Sequence, residues 1–494
     1  MIERYRDEKI AEIWSDENKL ALWQKTELAA IETRVNLKKI PSEVYRAIFG
    51  ILMKNPIDIN WWKAREGEIK HDLNAFLDER MRFLPPELQI YFHQKLTSYD
   101  TEEPAFSQML RESLIVVKKY LVEVETILKE MALKYRFTPM NARTHGQEAK
   151  LQTFGKRCLT WFRDLNLDSE NLEKAEENLQ YSKLSGAIGN YGDIDPELER
   201  ETLRILGFKP YYGATQIMPR ETFTPLAQAL SQIVSTLNKI ALTIRLGARS
   251  GRPICQEPFG KKQKGSSAMP HKKNTISTEQ IEGMNRMVRE FCDMIDANIS
   301  TWEERAIEQS SVERIAWPDL FHIVVHSLKT MARVLKGLVV FPDNMLLEII
   351  DSRGCYASDE AKEVLTELGL SFGLNREEVY RIVQLAAFNA FEPDSEIEKL
   401  RMSLPTSLTE IDEAFAKVQK ISRPTPISIK DIIAEGMLRI SPQLEAGEED
   451  VQKWNDILKQ IFSDSENRKI WDETFLPSNL LRNEAKLYKE ILNA

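Results

Sequence analysis

Between residues 261 and 277 the chain reads KKQKGSSAMPHKKNTIS, so Lys261, Lys262, Lys264, Lys272 and Lys273 crowd together with His271 around two serines. Gly265 and the serines read as a mobile loop, and residues from about Thr275 to Glu290 as the helix that follows it. Cations beside the N–H groups of a helix N-terminus form an anion trap, although a solvated basic loop is the commoner fate of a lysine run. A serine hydroxyl in that setting has its alkoxide stabilised by ammonium and backbone N–H groups, which is a physical route to a serine that accepts a proton. No G-x-S-x-G elbow surrounds Ser266 or Ser267, so a hydrolytic nucleophile is disfavoured.

Two further constellations have polar groups at suggestive spacing. In RTHGQ, Arg143, Thr144, His145 and Gln147 surround Gly146, which lets backbone and ligand come close. The segment reads either as a recognition loop holding a histidine or as a polar turn capping a helix from Glu148. In ERAIEQSSVERIAWPD, Arg305, Ser310 and Arg314 offer two guanidiniums and a hydroxyl to a phosphate or carboxylate. Glu304, Glu308 and Glu313 offer the alternative of simple ion pairs. Of the six histidines, His71, His93, His145 and His271 stand among polar residues, whereas His322 and His326 fall in an apolar helical run.

Long helices must position these groups. Phe106, Leu110, Leu114, Val117, Leu121, Val124, Leu128 and Met131 recur at spacings of four and three, which places them on one helix face. Such a helix runs roughly 40 Å, with Pro104 in its first turn. Phe223 to Ile244 and Leu320 to Leu338 repeat the pattern. Strand alternation is scarce, so the fold is expected to be mostly α, with at most short hairpins in the connections. Seams this long suit a bundle that continues into other subunits, or one closed within a monomer. A polar segment at Glu102 to Pro104 and the Gly369, Gly373, Asn375 interruption suggest boundaries, giving domains of 1–103, 104–368 and 369–494. Residues 393 to 450, rich in proline, read as short helices on irregular connections.

Composition excludes several classes of function. With 494 residues, 42% of them hydrophobic and 29% charged, the chain reads as a globular protein of enzyme size. Its net charge of -9 gives no support to nucleic-acid binding. The N-terminus lacks an apolar signal region and no later run is long enough to span a membrane. Cys158, Cys255, Cys292 and Cys355 show neither metal-ligand spacing nor a disulfide pattern. A cytoplasmic protein is expected.

Taken in order, MIERYR, KHDLNAF, HQKLTSYD, RTHGQ, TQIMPRE, GSSAMPHKKN, SSVERI and GLVVFPDNM resemble the fumarase/aspartase superfamily, and within it the adenylosuccinate branch. The GSSxMPxKxN loop is specific to the superfamily; the N-terminal Arg-Tyr, the MPHK form and the Arg305, Ser310, Arg314 set point to the branch. The resemblance covers residue 1 to about residue 390, and the C-terminal hundred residues match loosely.

Such a resemblance implies a three-domain, mostly α fold with a central long-helix bundle, assembled as a homotetramer whose sites draw on three subunits. It implies cofactor-free and metal-free β-elimination of fumarate from a small-molecule substrate, a succinylated purine nucleotide: adenylosuccinate, giving AMP, or succinylaminoimidazole carboxamide ribotide. By the same resemblance Ser266 is the general base and His145 the general acid, with Glu279 supporting it. Lys272 and Asn274 hold the charged intermediate. Arg4, Tyr5, Arg305, Ser310 and Arg314 hold the nucleotide, the last three favouring its phosphate. His71, Asp72, Thr97, Ser98 and Gln216 surround the succinyl group and base, with His93 near the site. Thr275, Ala306, Tyr99 and Glu148 depart from the usual pattern. The alternatives are an argininosuccinate lyase or carboxymuconate cycloisomerase type of enzyme, or a non-catalytic homologue.

Overall fold

The computed structural model describes residues 1–391, 408–420 and 427–492, and these form a mostly α protein. The chain divides into two compact units, one of residues 1–129, 161–249 and 255–339, the other of residues 130–160, 250–254 and 340–494.

The first unit is built on long helices: α1 (Ser98–Lys134), which it holds as far as residue 129, α2 (Thr224–Gly247), α3 (Ile276–Ala297) and α4 (Glu308–Lys336). The apolar stripe of α1 is buried as its spacing predicts, Leu110, Leu114, Val117, Val124 and Leu128 completely. Each such side chain contributes about 1.5–3 kcal/mol of transfer free energy. Helix α2 packs against α3 and α4, and α3 against α4. Phe106 of α1 meets the Phe223 ring edge-on at 5.4 Å and Trp317 of α4 at 6.3 Å, which locks the bundle at the end where the polar candidates lie.

Pro104 is not in the first turn of α1. The Asp100 carboxylate accepts the Thr97 N–H at 2.9 Å, a back-bonded cap that starts the helix at Ser98 and leaves Pro104 inside it. The ring then costs one bond, at the Asp100 carbonyl. Pro318 does the same inside α4, leaving the Arg314 carbonyl without its helical donor.

The second unit has its own apolar core, in which Ala361, Leu365, Ile382, Leu385, Ile433, Leu458 and Trp471 are completely buried. Helices Ser358–Gly369, Arg376–Phe391, Ile429–Ala434, Glu448–Ser463 and Ser465–Thr474 supply it. Strands β1 (Pro139–Thr144) and β2 (Gln147–Thr153) pair as an antiparallel hairpin against helix Pro342–Asp351. Of the stretch expected to form short helices, residues 393–407 and 421–426 lie outside the described residues; Leu408–Lys420 and Ile429–Ala434 are short helices.

Candidate active site

The lysine-rich loop is held by its own backbone. A Cβ on Gly265 would lie 1.8 Å from the Lys272 carbonyl oxygen, so only glycine allows this crossing, and the Asn274 side chain donates to the Gly265 carbonyl at 2.8 Å. The Ser266 Oγ accepts the N–H groups of Ala268 and Met269 at 3.3 and 3.1 Å. Both donors would stabilise negative charge on that oxygen. None of the five loop lysines has an acidic partner among the described residues. All five are exposed.

The helix after the loop, α3, begins at Ile276, but its N-terminus is not open to an anion. The buried Glu257 carboxylate already accepts the Ser277 and Thr278 N–H groups at 3.1 and 2.8 Å. The expected trap is therefore filled by the chain's own carboxylate, and the cationic side chains alone remain. Glu279 accepts from the Thr275 hydroxyl at 3.1 Å, one turn into the helix.

His145 stands at the tip of the β1–β2 hairpin, with φ of 53° there and 78° at Gly146. Two successive left-handed residues are what a tight type I′ hairpin turn requires, and a histidine in that conformation is strained. No helix starts at Glu148; residues 147–153 form β2. Asn141 donates to the Glu348 carbonyl at 3.1 Å, and Arg143 lies 3.3 Å from both Glu148 and Glu348. The base of the hairpin is anchored while the His145 ring is exposed.

The first unit gathers a second set. Arg314 on α4 lies 2.6 Å from Asp72, whose helix Asp72–Met81 is capped by His71 Nδ1 accepting the Asn74 N–H. Arg305 donates to the Gln216 side chain at 3.0 Å and lies 4.1 Å above the buried Tyr99 ring. Neither arginine pairs with Glu304, Glu308 or Glu313; the last binds Arg220 at 2.8 Å instead. Asp72, Tyr99, Glu102, Ser310 and Arg314 line a cavity of about 310 Å³ walled by Trp14, Trp23 and Phe106. Burial, with Asp72 close by, pushes the Glu102 carboxyl up to about 8. Thr97 and Ser98 open α1 beside this cluster.

Three supporting residues escaped sequence reasoning. Lys183 and Asp100, both completely buried, pair at 2.7 Å, and Lys183 also donates to the Gln216 carbonyl at 3.0 Å. Asp100 thereby joins the Thr97 cap to the Gln216 backbone. Arg220 bridges Glu103 of α1 and Glu313 of α4 while donating to the Met218 carbonyl at 2.7 Å. Their ion-pair partners lie 83 to 117 residues away in sequence, and no local pattern marks them.

Tyr5 lies further along α4, while His93 shares Glu27 with Thr101 of α1, next to Asp100. The Tyr5 ring meets His326 edge-on at 5.0 Å, twelve residues along α4 from Arg314, or roughly 18 Å of helix. Arg4 beside it is exposed. His93 is tied to the buried Glu27 at 2.7 Å; burial alone would depress its pKa, but the Glu27 carboxylate raises it above the ordinary histidine value.

The loop, the strained histidine and the arginine cluster sit on a fold shared with known enzymes. A fumarate lyase from Mesorhizobium sp. BNC1 superposes with a TM-score of 0.71 at 21% identity, covering 96% of this chain and 99% of that one. A β-carboxy-cis,cis-muconate cycloisomerase from Acinetobacter calcoaceticus sp. ADP1 gives 0.75 at 18% identity, covering 99% and 98%. At such identities the likeness establishes the fold alone. The lyase family model matches residues 1–289, and the class is therefore that of the fumarase/aspartase-type lyases. Adenylosuccinate lyase of Aquifex aeolicus is 36% identical over 82% of this chain and 92% of its own length, and that of Thermotoga maritima 34% identical over 84% and 96%. The chain belongs to the adenylosuccinate lyase family.

Proposed function

We propose that the protein is a carbon–nitrogen lyase that eliminates fumarate from adenylosuccinate, giving AMP, and from succinylaminoimidazole carboxamide ribotide, in purine nucleotide biosynthesis in the cytoplasm. The observation that carries this reading is the Ser266 hydroxyl, oriented by two backbone N–H groups within a loop of lysines that have no acidic partner. A proton next to a carboxylate is removed only if the doubly charged aci-carboxylate that results is met by cations and oriented donors. Ser266 takes that proton, Lys272 and Asn274 stabilise the charge, and the electron pair moves to break the carbon–nitrogen bond. His145, supported by Glu279, returns a proton to the departing nitrogen. Fumarate and the amine leave, with atoms and charge balanced and no cofactor or metal required.

Arg305, Ser310 and Arg314 hold the phosphate, with Arg4 and Tyr5 completing the nucleotide site, and His71, Asp72, His93, Thr97, Ser98 and Gln216 surround the succinyl group and base. Tyr5 stands about three helical turns from Arg314 in one chain, and we read these groups as acting together across subunits. We read the assembly as a homotetramer of three-domain subunits with shared sites. Ile115 and Val122 on α1 and Leu242 and Leu246 on α2, each about half exposed or more, suit helix faces buried in such an assembly. Helices of the described residues are too short or too polar to cross a membrane.

A substrate panel tests this choice within the superfamily. Fumarate released from adenylosuccinate and not from argininosuccinate is the expected result; the reverse would move the chain to the neighbouring activity. AMP binding without any fumarate release would mark a non-catalytic homologue.

A further inference from the structure

Glu102 has no place in the chemistry above, yet it lines the same cavity as Ser310 and Arg314. Its surroundings are unbalanced in charge. Within the cavity Asp72 already neutralises Arg314, and Asp16 is matched by Lys19 and Lys63. Glu103 and Glu313 share the single guanidinium of Arg220. Tyr99 gives only its ring to Arg305. Glu102 alone, among the described residues, is a carboxyl of this cavity with neither an ion pair nor a hydrogen bond. Arg305, by contrast, is a cation without a carboxylate partner, and its buried Nε–H has no acceptor.

An anion is thus invited by Arg305 and opposed by Glu102. A doubly charged phosphate arriving at Arg305, Ser310 and Arg314 competes with Asp72 for Arg314 and meets a second carboxylate in the same low-dielectric space. The surplus cation of Lys19 and Lys63 over Asp16 offsets the surplus carboxylate of Glu103 and Glu313 over Arg220, so Arg305 and Arg314 are left facing four negative charges unless one carboxyl is neutral. Like charges in an enclosed site raise each other's proton affinity.

We propose that Glu102 is a specificity residue of the phosphate subsite that must carry a proton for the nucleotide's phosphate dianion to bind, so that binding is coupled to proton uptake at this side chain. This rests on the nucleotide reading of the Arg305, Ser310 and Arg314 cluster. The sign follows from linkage. Glu102 holds its proton up to about pH 8 in the free protein, so phosphate affinity is complete below that pH and falls as pH rises above it, by about tenfold per unit. Of the groups that line the cavity with Glu102, Tyr99 is pushed up to about 12 by burial, so the window belongs to Glu102.

Titration calorimetry of the full-length protein with AMP, in buffers of different ionisation enthalpy at about pH 7 and about pH 9, tests this. Expected are a dissociation constant about tenfold weaker at the higher pH and a buffer-dependent heat signalling proton uptake there. Glu102→Gln should bind AMP equally at both, without proton uptake, and Glu102→Asp, which keeps the carboxyl, should restore the dependence. If wild type binds AMP equally at both pH values, or Glu102→Gln keeps the loss, the proposal falls while the nucleotide reading stands. If wild type does not bind AMP at either pH, the nucleotide reading falls and takes the proposal with it.

Discussion

Asp72 Oδ2 lies 2.6 Å from Arg314 Nη2, so the guanidinium proposed to hold the substrate's phosphate is already occupied by a carboxylate of the chain. The pair is half open to solvent on the arginine side. A planar guanidinium has further donors to offer, and a phosphate can share it or displace Asp72. Arg314→Ala should therefore weaken binding in the ground and transition states alike, raising KM for adenylosuccinate with little change in kcat. Steady-state kinetics that showed a loss confined to kcat would contradict that role.

Ser266→Ala and His145→Ala should each lower turnover by roughly a hundredfold or more, the range expected when a general base or acid is lost. The two substitutions lie on a loop and at an exposed hairpin tip, so circular dichroism and melting temperature should stay close to wild type. Unchanged turnover in either variant would remove that residue from the mechanism.

Lys183→Met should be costly for a different reason. It leaves the completely buried Asp100 carboxylate without its cation, and breaking one partner of such a pair costs about 3–5 kcal/mol. Urea denaturation read by fluorescence measures it. A change below about 1 kcal/mol, the level of an exposed pair, would mean that the burial is not what holds Gln216 and the Thr97 cap together.

Glu102 should make stability depend on pH in a set direction. Burial, with Asp72 close by, raises its pKa from the ordinary glutamate value to about 8, so the favourable contribution is complete below the unfolded pKa and lost as pH rises through the folded one. Glu102→Gln should accordingly melt above wild type at about pH 9 and show no such gain near about pH 4. Calorimetric scans at the two pH values decide it. An equal shift at both would assign the effect to packing rather than to charge.

Much of this was legible in the sequence. The stripe from Leu110 to Leu128 is buried where the spacing of three and four places it, because a long helix shows its periodicity in sequence. Gln216 and Tyr99 both meet Arg305 although 89 and more residues separate their segments from it; no local pattern joins them, and the resemblance had set Arg305 at the phosphate and Gln216 at the succinyl group and base. Pro104 misled because the Asp100 cap lay several residues upstream of the first apolar repeat. The His145 hairpin was hidden because its strands are largely polar and the buried residues of β1, Met140 and Asn141, are adjacent instead of alternating. Glu257 was missed at the α3 N-terminus because it caps the helix from about twenty residues before it.

The assembly has its own check. Light scattering or native mass spectrometry should give four times the 57.1 kDa of one chain. A monomer with full activity would contradict sites shared between subunits.

Ser266 is proposed to remove a proton from a succinylated purine nucleotide. Following the ultraviolet absorbance of adenylosuccinate as the purified protein is added, with Ser266→Ala in parallel, tests it most directly. Wild type should convert adenylosuccinate to AMP and fumarate, and the variant should lose roughly a hundredfold or more of that rate. A folded wild type that leaves adenylosuccinate intact would rule out this substrate, and a variant that converts it as fast would rule out Ser266 as the base.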